Sequence, residues 1–542
     1  MKLGLIFIIR LRWERLSRWW RKITTVRHPQ VYNLSSFPHS YFDYLEQSRP
    51  LTIEITDPNR NVTGNYHWKV FWTVAIALFA MVMDFSIVFL ALSSIADEFD
   101  VTLRAVTWVA IASSLTMSAF MLPLGRVSDI TGRKRFHIVG MMLFVVGALL
   151  AYSASNLQML ILARVVMSLG SAMGQAVVFA IIVGVFPGSE RGKALGMITT
   201  TVAIGAAAGP IVAGPVIQEW GWRSIFLVTA LPTIAGIVAA FVVLEDSKIG
   251  SETRSLDARF DWLGSILSAA ALSLLILTIS NPFAFEWISL QTIAGFLVSL
   301  VLLVALVRWE LRTPEPMLNL RFFKNSTFSW STSTRFLGFI GGSATFFLMP
   351  IFVQSFMGYG QRSAGMIMFV GALGMGLASQ FSGRLSDKYG FRKFTFIGLG
   401  FLVMTNVWFS FFVKDSSLVI VMSVLFLNGL GMGLWMAPNM SATLSTVSRV
   451  DYGSMSAFLN LVRNVGSVIG QALTAAIIAG IMLSRGAEVQ LDQLSESDNP
   501  AVTDAFLAGW SLTFRVLAIV TFIALLCAIQ TRVFVSDRDD SN

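Results

Sequence analysis

The chain has 542 residues, of which 55% are hydrophobic and only 13% are charged, and its mean hydropathy is +0.69. Soluble domains carry about 25% charged residues, so this composition excludes a soluble multidomain protein and predicts an all-α integral membrane protein. The single cysteine excludes an intrachain disulfide, and the four histidines show no metal-ligand spacing, so we expect no metal site. The net charge of +9 fits basic loops on one membrane face better than nucleic-acid binding.

Residues 1–67 form a basic tail ahead of the first long apolar run. The apolar stretch at residues 3–9 is too short to span a bilayer or to indicate a signal peptide. Arginines interleaved with tryptophans follow it, which is typical of a helix lying on the inner membrane surface. The alternatives are a solvated tail, or sequence that lies upstream of the true start.

About fourteen apolar runs follow the tail, each near the ~20 residues that a membrane-spanning helix needs. The predicted spans lie near 69–92, 106–124, 137–154, 158–186, 196–217, 224–244, 262–280, 288–307, 328–353, 363–383, 394–413, 418–443, 454–483 and 506–531. The loops after spans 2, 4, 6, 8 and 10 are rich in Lys and Arg, and the opposite loops are poorer. The positive-inside rule therefore predicts an inner or plasma membrane protein with both termini in the cytoplasm.

A short signature occurs twice, each time between two apolar runs. The first copy runs from Gly125 to Arg135 and the second from Gly383 to Lys393, with Gly, Arg, Ser, Asp and Gly at matching offsets. This repeat indicates two related halves, as in many secondary transporters. The copies are 258 residues apart (383 − 125), which fits eight spans better than six at about 30 residues per span and loop.

The spacing therefore predicts six spans, two inserted spans and six more. The predicted segments are the cytoplasmic tail 1–67, a six-helix bundle 68–245, a linker with two inserted helices 246–310, a second six-helix bundle 311–532 and a cytoplasmic tail 533–542.

The signature is predicted to act as a latch between the two halves. Its glycines permit tight turns and close helix approach. Its aspartates can accept charge-assisted hydrogen bonds from basic residues or from a helix N-terminus across the interface. The alternative is a positive-inside anchor that only needs a turn. The predicted latch residues are Gly125, Asp129, Gly132, Arg133, Lys134, Gly383, Asp387, Gly390 and Arg392.

Asp84 lies in the middle of span 1. A carboxylate at mid-bilayer costs about 2.5–3.5 kcal/mol on insertion scales, so we expect it to face a cavity or a charged partner. The functional interpretation is a proton-coupling or cation-recognition site. The structural alternative is a carboxylate held by an arginine or by hydroxyl groups.

Three arginines also fall within apolar runs. Arg164 lies near the outer end of span 4, where a long side chain can extend to the membrane surface. Arg335 lies about two turns into span 9 and Arg463 about three turns into span 13. Each is a candidate partner for Asp84 or a helix-packing anchor, and we select Asp84, Arg164 and Arg463 as proton-coupling or substrate residues.

Span 5 contains a run of small residues with two prolines, from Gly205 to Pro215. Small residues at this spacing let a neighbouring helix approach closely, and each proline removes a backbone donor and permits a bend. Such a helix suits a seal that opens and closes. The candidate residues of this motif are Gly205, Gly209, Pro210 and Gly214.

Together these features resemble the major facilitator superfamily over residues 68–532. The signature copies resemble its motif A, residues 160–170 its motif B, and residues 205–214 its antiporter motif C. Asp84 with Ala91-Leu92, and the two inserted spans, resemble the fourteen-span drug/proton antiporters of the EmrB/QacA type. The segments at 260–264, 310–318, 349–354 and 463–466 are similar to that group as well.

The sequence also departs from the family pattern at several positions. The departures are Met167 and Ser168 in place of Gln and Gly in motif B, Ala213 in place of Gly in motif C, Ser113 in place of an aromatic residue in span 2, and Ile130 in place of a basic residue after Asp129. They concern the substrate pocket and the motif B proton relay rather than the fold.

The resemblance implies a proton-coupled exporter of small amphipathic or cationic compounds, working by alternating access between two six-span bundles. It implies that Asp84 exchanges protons, that Arg164 modulates it, and that Asp129 with Arg133 latches the outward-facing state. The alternatives are proton-coupled uptake, lipid translocation or a transport-incompetent membrane sensor.

We expect no enzymatic activity, because no nucleophile–base or metal constellation is evident. We expect no cofactor, since the proton gradient supplies the energy and no phosphate-binding loop is evident. The expected partners are the lipid bilayer, protons and a small-molecule substrate, with no nucleic acid. The outer loop at about 484–505 is a candidate contact for a periplasmic adaptor.

Overall fold

In a computed structural model the protein is described over residues 65–531, apart from 188–189, 247, 250–259, 282, 284, 286–288, 315, 448–450 and 487–499. The basic tail up to residue 64, the tail 533–542 and most of the outer loop lie outside the described residues. Over the described ranges the regular secondary structure is helical, without a strand.

The described residues form fourteen long helices, as the apolar runs predict. The first eight are α1 (Tyr66–Phe99), α2 (Leu103–Thr131), α3 (Arg133–Tyr152), α4 (Leu157–Val185), α5 (Arg191–Trp220), α6 (Ser224–Val243), α7 (Trp262–Ser280) and α8 (Leu290–Arg312). The last six are α9 (Ser326–Ile351), α10 (Gln361–Tyr389), α11 (Phe391–Phe409), α12 (Leu418–Leu444), α13 (Tyr452–Ser484) and α14 (Pro500–Gln530). A short 3-10 helix at Leu320–Lys324 precedes α9, and a π-helical turn at Phe352–Phe356 extends it.

Thirteen of these described helices are long and apolar enough to cross a membrane. The other one, α11, has 19 residues and begins with Arg392 and Lys393 just after its first residue, so its apolar part is short. Several helices extend past the predicted runs, because the apolar run marks the membrane thickness and the helix continues beyond it. Thus α5 begins at Arg191 rather than 196, and α14 begins at Pro500 rather than 506, with proline in its favoured first helical position.

The packing of α1–α6 is repeated in α9–α14. In the first six helices α1 packs on α5 and α6, α4 packs on α2 and α3, and α3 packs on α6. The equivalent pairs in the last six are α9 with α13 and α14, α12 with α10 and α11, and α11 with α14. The duplicated signature therefore belongs to a duplicated arrangement of helices.

The two halves contact each other through equivalent pairs, α2 with α13 and α10 with α5. We call the end of the bundle that carries Gly132 and Gly390 the signature end. Near it the Thr200 hydroxyl of α5 donates to the Gly376 carbonyl of α10 over 3.0 Å. A Cβ on Gly383 would collide with the backbone of Gly192, so the α5 and α10 backbones are in direct contact. The signature end of the protein is closed in this structure.

The inserted helices α7 and α8 form a hairpin that packs on α2 and, more lightly, on α13. Asp261 connects the start of α7 to the end of α8, because its carboxylate accepts 2.9 Å hydrogen bonds from the Gly264 amide and from the indole of Trp309. Glu310, one residue further on, accepts from the Leu318 amide over 3.3 Å. These contacts explain the acidic residues at the start of span 7 and the end of span 8.

A polar network joins α1 and α6 at the end opposite the signature loops. Arg223 and the Trp222 indole both donate to the Glu98 carboxylate, the second over 2.5 Å. Arg223 also donates to the Ala154 carbonyl after α3 over 2.8 Å. The hydrogen bond from Arg223 holds the pKa of Glu98 below its ordinary value. Arg223, which lies between predicted spans 5 and 6, therefore connects the ends of α1, α3 and α6.

Helix α5 packs tightly on α1 at two glycines of the span 5 motif. A Cβ on Gly205 would lie 3.0 Å from the Phe79 carbonyl and 3.3 Å from the Val82 Cβ. A Cβ on Gly209 would collide with the Ser86 hydroxyl and lie 2.9 Å from the Ile87 amide. The α1 contacts therefore fall on either side of Asp84 in the sequence, which couples α5 to the helix that carries the buried acid.

We predict that Gly209→Ala destabilises the protein and that Gly214→Ala, the matched control, does not. At Gly209 the added methyl group must displace α1, at a cost of about 1–3 kcal/mol. At Gly214 nothing lies within 4 Å of the new Cβ. The purified variants are heated in detergent, and the fraction of protein that still elutes as a monodisperse size-exclusion peak gives the unfolding midpoint of each. Equal midpoints for both variants would contradict the close approach of α5 to α1.

Candidate functional site

Asp84 and Arg164 form a buried ion pair between α1 and α4. Nη1 of Arg164 lies 2.8 Å from both carboxylate oxygens of Asp84. The exposed fraction is 5% for Asp84 and 1% for Arg164. Arg164 does not extend to the membrane surface, as its position near a helix end had indicated, because neighbouring helices enclose it. Of the three candidate arginines, Arg164 is the partner of Asp84.

Two of the residues that depart from the family pattern contact Arg164. Its Nε donates to the Ser113 hydroxyl on α2 over 3.1 Å, and its Nη1 lies 3.4 Å from the Met167 sulfur. The ring of Phe226 on α6 has its centroid 6.0 Å from the guanidinium carbon. The departures at Ser113 and Met167 therefore change the immediate environment of one side chain, although they lie on different helices.

The environment of this pair makes its charges interdependent. Both charged groups are away from water, where breaking a buried pair by removing one partner costs about 3–5 kcal/mol. A proton that binds Asp84 removes the charge that compensates Arg164. Because Ser113 and Met167 provide only a neutral hydroxyl and a thioether, they cannot replace that charge. Protonation of Asp84 therefore changes the electrostatic environment of Arg164 and of its contacts on α2 and α4.

In the first signature copy, Asp129 caps a helix of the other half. Its Oδ2 accepts hydrogen bonds from the Ser454 amide over 2.9 Å and from the Ser454 hydroxyl over 2.8 Å. Ser454 lies in the first turn of α13, where free backbone N–H groups and the helix dipole favour an anion. Arg133 lies 3.7 Å from the other carboxylate oxygen. The predicted contact with a helix N-terminus across the interface is present.

The glycines of the two signature copies occupy equivalent places. Gly132 links α2 to α3 with φ 96°, and Gly390 links α10 to α11 with φ 87°, a region that favours glycine. In each copy a serine hydroxyl donates to the carbonyl three residues earlier, which is that of Gly125 or Gly383.

The other predicted latch residues are less informative. Lys134 is directed to its own half, 3.4 Å from the Phe241 carbonyl, and Arg392 is exposed. The side chain of Asp387 lies outside the described residues, as does that of Pro210 in the span 5 motif. Gly205 and Gly209 contact α1 as described above, whereas Gly214 makes no close approach.

Arg463 contacts α4 of the first half and does not contact Asp84. Its Nη2 donates to the Gln175 side-chain oxygen on α4 over 2.9 Å. Asn460, one turn earlier on α13, donates to the Gln175 backbone carbonyl over 3.2 Å. Gln175 lies 11 residues beyond Arg164 on α4, which is about 16 Å along the helix axis. Sequence patterns did not single out Gln175 or Asn460, because neither is charged or repeated.

Arg335 on α9 is buried, with an exposed fraction of 2%. Its Nε donates to the Leu459 carbonyl over 3.0 Å, and its guanidinium lies 5.2 Å from the centroid of the Phe339 ring. Leu459 is four residues before Arg463, so Arg335 contacts α13 one turn before Arg463. Besides the Asp84–Arg164 and Asp129–Arg133 pairs, the described residues thus include the charges of Arg335 and Arg463.

The sequence pattern of the Major Facilitator Superfamily matches residues 74–471. The riboflavin transporter RibZ of Clostridioides difficile is 27% identical over 465 residues, covering 85% of this chain and 97% of that protein. The multidrug resistance protein Stp of Mycobacterium tuberculosis is 27% identical over 405 residues, or 74% of each chain. The multidrug transporter protein MdtP of Bacillus subtilis is 25% identical over 442 residues, covering 80% of this chain and 79% of its own.

A solved structure shares this fold. The human organic anion transporter MFSD10 (TETRAN) aligns with a TM-score of 0.61 at 14% identity, over 85% of this chain and 99% of that one. The all-helical fold class predicted from the apolar runs is confirmed, and the many apolar helices make this a multi-pass membrane protein. Since the family pattern covers well over half of the sequence, the chain belongs to the Major Facilitator Superfamily, a family of transporters.

Proposed function

We propose that the protein is a proton-coupled secondary transporter that exports small amphipathic or cationic organic compounds by alternating access. The observation that carries the proposal is the buried Asp84–Arg164 ion pair, at 2.8 Å, on two helices of the first half. An ionisable pair inside a membrane protein is by default a functional site, because such groups are costly to keep there. The names of relatives that transport drugs support the substrate class.

Asp84 is the proposed coupling acid. Proton binding to Asp84 neutralises the carboxylate, so Arg164 loses the charge that its Nη1 contacts. Helix α1 is held between Arg164 on one side and Gly205 and Gly209 of α5 on the other. A change at the ion pair therefore acts on the α1–α5 contact, which is the proposed seal. Arg164 acts by favouring the charged form of Asp84, which promotes release of the proton when substrate binds.

The proposed latch is the contact of Asp129 with the first turn of α13. This contact joins the halves only while the signature end is closed, since Asp129 and Ser454 lie on different halves. Arg133 lies 3.7 Å from the other oxygen of the Asp129 carboxylate and favours its charged form. Opening the signature end breaks two hydrogen bonds to a charged group, so the latch favours one of the two conformations. With the signature loops in the cytoplasm, the favoured conformation is outward-facing.

We further propose that the protein belongs to the fourteen-span EmrB/QacA group, with six-helix bundles at 68–245 and 311–532. Fourteen helices among the described residues, with α7 and α8 inserted between two equivalent sets of six, support this assignment. The basic loops support cytoplasmic termini in the inner or plasma membrane. The proton gradient is the proposed energy source, and an adaptor at the outer loop is a proposed partner.

Transport of one defined compound is a second candidate function. One relative, of which the match includes 97% of the length, is named a riboflavin transporter. A substrate panel should therefore contain riboflavin as well as lipophilic cations. A response to riboflavin alone would favour this candidate over a multidrug exporter.

We predict that substrate addition releases protons from purified, reconstituted wild-type protein and that Asp84→Asn abolishes the release. The substitution keeps the size of the side chain but removes the group that binds the proton. A pH-indicator dye in weak buffer measures the release after adding lipophilic cations or riboflavin. The matched control is Asp97→Asn, an exposed aspartate on the same helix. Release that survives in Asp84→Asn would show that the coupling acid lies elsewhere.

We predict that Asp129→Ala opens the signature end. Losing hydrogen bonds to a charged group shifts the equilibrium by roughly tenfold or more. Thr200→Cys in a Cys527→Ser background reports opening, because Thr200 lies at the contact of α5 with α10. Maleimide labelling should accelerate in Asp129→Ala and remain unchanged in the exposed control Asp415→Ala. An unchanged rate in Asp129→Ala would contradict a latch role.

A further inference from the structure

Arg335 of α9, which is buried, contacts α13 one turn before Arg463, which is partly buried. Arg335 makes one side-chain hydrogen bond, to the Leu459 carbonyl, and Arg463 makes one, to the amide oxygen of Gln175. The two side chains are brought to adjacent turns of α13, because Leu459 lies four residues before Arg463. Both acceptors are neutral, and among the described residues neither arginine forms an ion pair with a carboxylate.

The charge in this part of the protein is therefore unbalanced. Arg164 contacts both carboxylate oxygens of Asp84. Among the described residues, Asp84 is the only buried acid that lies away from a helix end. Buried charges are normally paired, because an isolated charge in a low-dielectric interior is costly. Two neighbouring guanidinium groups with neutral partners therefore provide a site for a negative charge that the described residues do not supply.

Buried polar oxygens without partners lie on the two helices that carry these arginines and on α12. Five side chains that are nearly fully buried each have an oxygen with no hydrogen-bond partner among the described residues, and these are Ser331, Thr334, Asn439, Ser456 and Asn460. Ser331 lies one turn before Arg335 on α9, and Asn460 and Ser456 lie one and two turns before Arg463 on α13. Asn439 of α12 joins them, since its amide donates to the Ser331 carbonyl over 2.9 Å.

We propose that Arg335 and Arg463 form the binding site for the acidic group of an amphipathic organic anion, such as a carboxylate or sulfonate. Guanidinium groups recognise these planar or trigonal anions through paired N–H donors, and the serine and threonine hydroxyls offer further donors. This inference rests on the proposed transport function and specifies its substrate. A cationic substrate would meet two like charges here, so the site selects against it.

The first test is equilibrium binding to the full-length protein in phosphatidylcholine nanodiscs, with empty nanodiscs subtracted. The probes are naphthalene-2-sulfonate and naphthalen-2-yl-trimethylammonium, which share a ring system and carry opposite charges. We expect the sulfonate to bind at least about tenfold more tightly than the ammonium. We expect Arg335→Gln and Arg463→Gln each to remove that preference. Arg515→Gln, an exposed arginine on α14, is the matched control and should retain it.

Size-exclusion profiles and unfolding midpoints of each variant show whether it folds, and Arg463→Gln carries the test if Arg335→Gln does not. A preference for the ammonium, equal affinity for both probes, or no binding of the sulfonate would overturn the inference. So would a sulfonate affinity that both substitutions leave unchanged.

Proton release from the same samples separates this inference from the proposed function. Arginine-dependent sulfonate binding without proton release would support the anion site and count against proton coupling. Proton release evoked by the ammonium and unaffected by the arginine variants would support coupling and overturn the anion site.

Discussion

The ion pair between Asp84 and Arg164 constrains the rest of the first half. In a medium that solvates neither charge, each group requires the other, so α1 and α4 must bring the two side chains within hydrogen-bond distance. The packing of α5 on α1 at Gly205 and Gly209 then fixes α1 from its other side. A change in the charge of Asp84 affects more than these two side chains, because the helices that enclose the pair also pack on neighbouring helices.

The interface between the halves uses a different kind of contact. Asp129 meets the N-terminus of α13, and the α5 and α10 backbones touch at Gly192 and Gly383. Apolar side chains of the two halves also share one buried cluster, which includes Met455 and Leu461 of α13. The α5–α10 and α2–α13 pairs hold the two sets of six helices together in this structure.

Local signals in the sequence predicted much of this arrangement. Apolar length predicted fourteen helices, and the duplicated signature predicted related halves and the contact of Asp129 with a helix N-terminus. The sequence could not tell which arginine pairs with Asp84, because that depends on how helices far apart in the chain pack. The expectation that Arg164 reaches the surface was wrong for the same reason, since Phe226 and Ser113 come from other helices. Uncharged partners such as Gln175 carried no signal that a single sequence provides.

The central claim is that the Asp84 carboxyl group binds a proton and gives it up when substrate binds. Infrared difference spectroscopy of the reconstituted protein, recorded on adding a transported substrate, observes this step directly. The account predicts loss of the C=O stretching band of a protonated carboxyl in wild type and in Asp97→Asn, and no such band in Asp84→Asn. A substrate-dependent carboxyl band that persists in Asp84→Asn would contradict the account.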